Sequence, residues 1–543
     1  MAKKIKKTIP WFLVLLLIGL AVGIGLNLGE TWVQADEATT SVTVGNVLPS
    51  ITVPADDSST CDSPTDVGSD VTFTATATDA NGDEWKILVC ETAGTTGVAC
   101  TGAQWCVSSS VSSGSPASCS HTVVAGDYNN GAWFVYACDS TGCTADDNTY
   151  SPFNVNREPD FSDISVPAAD PGQNIVFTAT ASDPDHNGDG CTADEVELYI
   201  CDAAGADATS GCTGGTELCH AVLTGSNPTC DYSVTIPTAH GPNNYYPYVF
   251  DTHGMPAGAG IQGVAAQYTV NDVAPIVTSV ILDDGGPIAL NLKGSTTDIA
   301  AVSTDVTDNN GCEDITEATA VIYLTSKGDS CAADDNNCYQ IDTGNCVKTA
   351  CDGASDAVCT YTCTAALKYY ADPTDTSSTW SGDTWSAEIT ASDESGSGSK
   401  IGDTPVDLQT NTALDVTETI AYGTVAAGQD TGSDNETTTV VNYGNSPIDN
   451  ELYGIDMTGP ATITIDVGQQ HYALIAFTYG TGDTALKLEA SKDTVDIEAT
   501  KPTSTTPDVS DNILWGIEIP GGKASGEYTG TNTFTALVDT DDW

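Results

Sequence analysis

Positive charge is scarce in this sequence. Only 15 lysines and arginines stand against 75 aspartates and glutamates, a formal net charge of −60, and so acidic a surface repels phosphate backbones, which excludes nucleic acid as a partner. Long-chain helix formers are few beside threonine, serine, glycine and aspartate, so short strands joined by turns are expected and the fold class reads as all-β. The sequence contains no His-Glu-x-x-His, Gly-x-Ser-x-Gly or glycine-rich phosphate loop, and its six histidines are scattered at 121, 186, 220, 240, 253 and 471. With no nucleophile, base or metal cluster to name, the chain reads as non-enzymatic. Carboxylate pairs arise by chance at this acid content and do not argue for a glycosidase. Zinc or thioredoxin-like chemistry is disfavoured as well, because none of the 19 cysteines falls in a Cys-x-x-Cys pair.

What is present is organised around a repeat. Val71, Phe73, Ala75 and Ala77 alternate with threonines, the period-2 signature of a half-buried strand, and the acidic turn Asp79–Asp83 follows. A close copy runs over Phe177–Asp189 and a weaker one over Ile299–Asp314, each followed by a second alternating strand led by Trp85, Val196 or Ala320. Each copy also ends alike, in a strand and an acidic turn at Asp139, Asp251 or Asp393 that reads as a closing hairpin. Asn46, Asn156, Asn271 and Asn411 punctuate the chain. They place modules at 46–155, 156–270 and 271–410, a C-terminal β-sandwich of another kind at 411–543, and a linker at 36–45.

Residues 1–35 differ from the rest. Lys3, Lys4, Lys6 and Lys7 precede an uncharged apolar run from Ile9 to about Leu28, followed by Val33-Gln34-Ala35. This is an export signal, with an uncleaved N-terminal membrane anchor as the alternative. Beyond it the chain carries 11 basic and 74 acidic side chains. Three readings fit that excess: a solvated, non-aggregating surface, a high-salt medium, or many divalent-cation sites.

Seven or so short strands per module of about 110 to 140 residues suit an immunoglobulin-like sandwich. The string Thr-Ala-Thr-Asp-x-Asn-Gly-Asp at 76–83 resembles the strand-to-turn segment of PKD-type, cadherin-like and other immunoglobulin-like repeats of microbial cell-surface proteins. The resemblance implies stalks, adhesins or surface-layer (S-layer) components. In the last segment Ile463, Ile465 and Val467 alternate with polar residues, as do Trp515, Ile517 and Ile519, and Pro520–Ala536 reads as a hairpin similar to that ending some bacterial surface-associated domains, the WxL type among them.

All the cysteines lie between Cys61 and Cys363, downstream of the export signal, which favours disulfides. Aligning the first two repeats matches Cys90, Cys100, Cys106 and Cys119 to Cys201, Cys212, Cys219 and Cys230. The local solution, Cys90 with Cys100 and Cys106 with Cys119, ties one inter-strand connection each, and Cys138 pairs with Cys143. Spacing does not fix the pairing of the seven cysteines from Cys312 to Cys363. The three modules hold seven, five and seven cysteines, so either thiols stay free or bridges cross between modules or chains.

For metal binding the candidates are the acidic turns: Asp79, Asn81 and Asp83, and Asp183, Asp185, Asn187 and Asp189, with oxygen side chains at alternate positions around a glycine, as in calcium loops. The same residues equally make tight turns. In the third copy Cys312 stands at an acidic position, which weakens calcium binding there. Calcium is the candidate cofactor. Trp105, Trp133, Trp380 and Trp385 are candidates for a carbohydrate-stacking platform or for core packing, and Trp85 belongs to the core. The expected function is a secreted or surface-held structural protein, a surface-layer or filament subunit or an adhesin stalk. Its partners would be copies of itself or components of a cell envelope or host surface, with membrane contact only through an uncleaved N-terminal segment. The alternative is a non-catalytic, carbohydrate-binding arm of an extracellular polysaccharide-processing system.

Overall fold

The computed structural model describes residues 40–128, 133–144, 153–185, 191–351, 353 and 355–543. Regular structure in these residues is strand, with six single turns of 3-10 helix and no α-helix. Residues 1–39, where the export signal or anchor is expected, and residues 186–190 of the second acidic turn, with Asn187 and Asp189, lie outside the described residues.

The repeated strand forms as its alternation requires. In Asp70–Thr78 every apolar residue is buried and every threonine lies toward solvent, and Asn174–Ser182 buries Ile175, Phe177, Ala179 and Ala181 in the same way. The longer third copy, Thr296–Thr307, keeps the alternation through Ile299 and Ala301, then slips by a bulge between Ser303 and Val306. The strand after each acidic turn does not pair with the one before it. Val196–Cys201 lies between Glu217–Thr224 and Gly241–Asp251, whereas Asn174–Ser182 lies between Asp160–Ser165 and Thr229–Ser233. Likewise Glu317–Leu324 pairs with Cys338–Ile341 and Trp385–Ser392, while Thr296–Thr307 pairs with Val358–Lys368. The acidic turn is therefore where the chain passes from one sheet of a sandwich to the other.

By internal contact the described residues fall into two compact units. One is built on Thr74–Cys119 and Phe134–Asp147; in it Lys86–Cys90 runs between Gln104–Val107 and Phe134–Cys138 over a small core of Leu88, Cys90, Tyr136 and Cys138. The other takes in Asp56–Phe73, Ser120–Trp133 and Asn148–Trp543. Its cores mix a few large side chains, Phe177 against Tyr245 at 4.9 Å and a fully buried Trp385, with many alanines. Each fully buried large side chain contributes roughly 1.5–3 kcal/mol and each alanine far less, so these cores are thin for their area.

Disulfides compensate. The structure joins Cys90–Cys100, Cys106–Cys119, Cys138–Cys143, Cys201–Cys212 and Cys219–Cys230, and in the third module Cys312–Cys351, Cys331–Cys338 and Cys346–Cys363. Closing a loop of about 15 residues withdraws roughly 3 kcal/mol of chain entropy from the unfolded state. Cys61 bridges to Cys191 across 130 residues of sequence, and Cys359 alone remains a buried thiol.

In the C-terminal region, Ser510–Ile519 is central to a sheet with Glu436–Asn442 and Gln470–Ala473, and Asn532–Val538 pairs with Ile448–Gly454 in another sheet. The hairpin expected over Pro520–Ala536 is thus not formed: the segment crosses between sheets, and its glycines serve a long connection rather than a two-strand turn. The strand expected around Ile463–Val467 shrinks to Thr464–Ile465 because Val467–Gln469 closes into a 3-10 turn, capped by Asp466. This region is fixed to the preceding module by Lys501, whose buried Nζ lies 2.9 Å from Asp372 Oδ1 and donates to the carbonyl of Tyr370 at 2.6 Å. Asn445 adds amide bonds to the carbonyls of Ala371 and Gln409.

Two measurements check this account. Lys501→Met leaves Asp372 buried without its cation, a change that typically costs about 3–5 kcal/mol. Urea unfolding should show a loss of that size, partly recovered in the double variant Lys501→Met/Asp372→Asn. Alkylation without reductant should label no thiol in the native chain and one, at Cys359, after denaturation.

Candidate metal centre

The turns after the repeated strands and the closing turns meet at one end of each sandwich, and the three copies fill that end differently. In the first, Asp79 Oδ1 accepts from the backbone N–H of Asn81 at 2.7 Å and of Asp83 at 3.2 Å, and Gly82 takes a positive φ of 78°. Asn81 turns away, its Oδ1 accepting from Val47 N at 2.8 Å, and Asp83 is exposed. The candidate set Asp79, Asn81 and Asp83 therefore does not converge; local hydrogen bonding closes the turn. The closing-turn Asp139 accepts from Asn46 Nδ2 at 2.7 Å, Thr141 N at 2.6 Å and Gly142 N at 2.9 Å. Desolvation pushes its carboxyl up, but these donors outweigh it and hold the group below the usual carboxylate range.

The second copy contains its own cation. Asp183, Asp185 and Asp194 bring carboxylate oxygens within 4.8 Å of one another. Both oxygens of Asp185 are taken, however, by Arg157 Nε and Arg157 N at 2.6 Å each, and the guanidinium also stacks 3.5 Å above the Tyr128 ring. Asp194 pairs with His253 at 3.3 Å. Asp183 is pushed up to about 7, first by burial and then by Asp185, Asp251 and Asp194.

Convergence is fullest in the third copy, where the cysteine at 312 argued against it. Asp308 follows the strand Thr296–Thr307 and is 0% exposed; Asp308, Asp314 and Asp393 bring carboxylate oxygens within 4.8 Å of one another, and Asp314 does the same with Asp272 and His240. Cys312 does not displace the acid. It bonds to Cys351, and Asp314 two residues on reaches the cluster. Asn310 ties this end to the preceding segment, accepting from Val273 N at 2.8 Å and donating to the carbonyls of Asn271 at 2.9 Å and Thr238 at 3.1 Å. Lys348 Nζ, the nearby cation, is committed to the carbonyls of Cys312 and Ile315 at 2.7 and 2.9 Å. Burial, then Asp314, Asp393 and Asp272, push Asp308 up to about 6. Asp272, Asp314 and His240 carried no local motif. The available signal was that Asp308 and Asp393 occupy turns the repeat brings to the same end.

A further acidic trio, Asp449, Asp496 and Asp539, lies in the C-terminal region, where none of the three is both fully buried and unpartnered. The tryptophan platform is not formed. Trp133 and Trp385 are fully buried in cores, Trp380 packs edge-on against Trp543 at 5.6 Å and under Lys501, and Trp105 is partly exposed. Among the described residues no helix is long and apolar enough to cross a membrane.

No protein-family model matches the chain, and no curated protein matches it. Among solved structures it is similar to a marsupial T cell receptor (10% identity, 64% of this chain and 98% of that one, TM-score 0.26). It is also similar to a structure described as bearing on host cell surface retention of a 1.5-MDa bacterial ice-binding adhesin (14% identity, 67% and 100%, TM-score 0.25). A third is the Drosophila N-cadherin EC1-3 segment (12% identity, 60% and 89%, TM-score 0.15). Scores this low carry no argument about function. The chain is all-β, built of disulfide-stapled β-sandwiches.

Asp449 gives a pH prediction. Burial, then Asp539 and Asp496, raise its carboxyl to about 6, so the folded state favours the protonated form. Its contribution to stability is complete below the ordinary value near 3.8 and is lost as pH rises through about 6. Asp449→Asn should therefore be more resistant to urea than the native chain above pH 7, and the difference should shrink toward zero near pH 4.

Proposed function

We propose that the chain is an extracellular structural protein whose immunoglobulin-like modules project from or connect a cell surface, as a surface-layer or filament subunit or as an adhesin stalk. The observation that carries this reading is the cysteine inventory: nine bridges use all but one of the 19 cysteines, within sandwiches whose alanine-rich cores are thin without them. Such a design depends on an oxidising compartment. The acidic surface keeps the modules soluble and apart, and sequential sandwiches joined by short links suit spacing rather than chemistry. The carbohydrate-binding alternative is weakened by burial of Trp133 and Trp385.

The test is surface labelling. Lys487 and Lys492, with side chains 46% and 41% exposed, should react with a membrane-impermeant amine reagent on intact source cells; labelling only after lysis would overturn the extracellular assignment. Light scattering of the purified chain then separates the two roles, since a lattice subunit grows into large particles and a stalk stays monomeric.

A further inference from the structure

We propose that Asp272, Asp308, Asp314 and Asp393, with His240 at the rim, form a calcium site that clamps the link between the second and third modules. This inference stands independently of the surface-protein reading. It rests first on unpartnered oxygens. Asp272 Oδ1, Asp308 Oδ2, Asp314 Oδ2 and Asp393 Oδ2 are all buried without a hydrogen-bond partner, and Asp308 is wholly buried. A buried carboxylate oxygen left unsatisfied is costly, and four together repel one another.

The opposite oxygens show that the arrangement is built. Asp308 Oδ1 accepts from Asn310 N at 2.8 Å, Asp393 Oδ1 from Ser395 N at 2.7 Å and Gly396 N at 2.8 Å, and Asp314 Oδ1 lies 3.3 Å from His240 Nε2. In each case one oxygen anchors the side chain and leaves the other free. The Cys312–Cys351 bridge fixes the loop between Asp308 and Asp314 from behind.

Ligand chemistry and spacing select the ion. The carboxylate oxygens outnumber the single imidazole, a hard-donor set unsuited to zinc or copper. Oxygens within 4.8 Å of one another can share one ion, and calcium takes such a carboxylate-rich set at about 2.3–2.6 Å in flexible geometry, whereas magnesium demands a near-ideal octahedron and keeps several waters. The equivalent ends of the other copies hold fewer free oxygens: Asp79 Oδ2 is buried without a partner in the first, and Asp183 Oδ2 and Asp251 Oδ2 in the second, where Arg157 supplies a positive charge. Asn46 donates an amide to Asp139 in the first, and Arg157 holds Asp185 in the second. At the third end the link contributes a further acid, Asp272, and the lysine nearby is spent on carbonyls. The ligands come from four separate positions: the loop bearing His240, the inter-module link at Asp272, the turn Asp308–Asp314, and the closing turn at Asp393. A cation held by all of them would hold the link shut.

The experiment titrates the metal-stripped full chain with calcium chloride, and separately with magnesium chloride, by calorimetry in about 0.15 M salt to suppress diffuse binding. One saturable calcium site is expected, weaker for magnesium, and weakened on the order of tenfold or more in both Asp308→Asn and Asp393→Asn. Asp79→Asn should retain it. Equal affinity in the native chain and both variants, no saturable site, or preference for magnesium would overturn the proposal. Limited proteolysis of the native chain supplies a readout that needs no variant: calcium should slow cleavage between residues 235 and 275, and an unchanged rate with and without chelator would overturn the clamp.

Discussion

Everything at the module ends follows from one topological constraint: the repeated strand and its successor belong to different sheets. A chain that hairpinned at Asp79, Asp183 or Asp308 would keep both strands in one sheet. Because it crosses instead, the turn caps the sandwich and lies beside the closing turn of the same module, so two acids far apart in sequence become neighbours. The short alternation of alanine and threonine permits this, since small inward side chains let the sheets lie close while the outward hydroxyls remain solvated.

Close sheets filled with alanine bury little apolar area, and the acidic surface adds repulsion. Stability is therefore distributed over many local devices: short-loop disulfides, Asx turns that satisfy backbone N–H groups, and single buried cations. Arg157 and Lys501 show how the few positive charges are used. Each sits at a junction, bridging segments that are distant in sequence, rather than decorating a surface.

The strands were legible because period-2 alternation is a local property, and Val71 to Ala77 or Trp515 to Ile519 can be read without knowing their partners. Pairing was not. Pro520–Ala536 looks like a hairpin locally, and only the demand for a strand beside Ile448–Gly454 sends its second half to another sheet. The acidic site divided along the same line. Turn residues such as Asp79 and Asp183 announced themselves through their glycines and asparagines, whereas Asp308 was passed over because of Cys312, and Asp272 and His240 matter only because folding delivers them there. Local spacing around Asp79 suggested a metal loop, yet Asp79 Oδ1 is taken by the turn's own backbone and Asn81 Oδ1 by Val47 N.

The Cys61–Cys191 bridge gives the molecule a mechanical property. A chain pulled from its two ends transmits force through that covalent shortcut, so the roughly 130 residues it encloses carry no tension. At about 3.4 Å per extended residue, some 440 Å of contour length stays out of reach of the load. The strands between Cys61 and Cys191 are thus shielded from stretching, and extension under load falls to the residues outside the bridge.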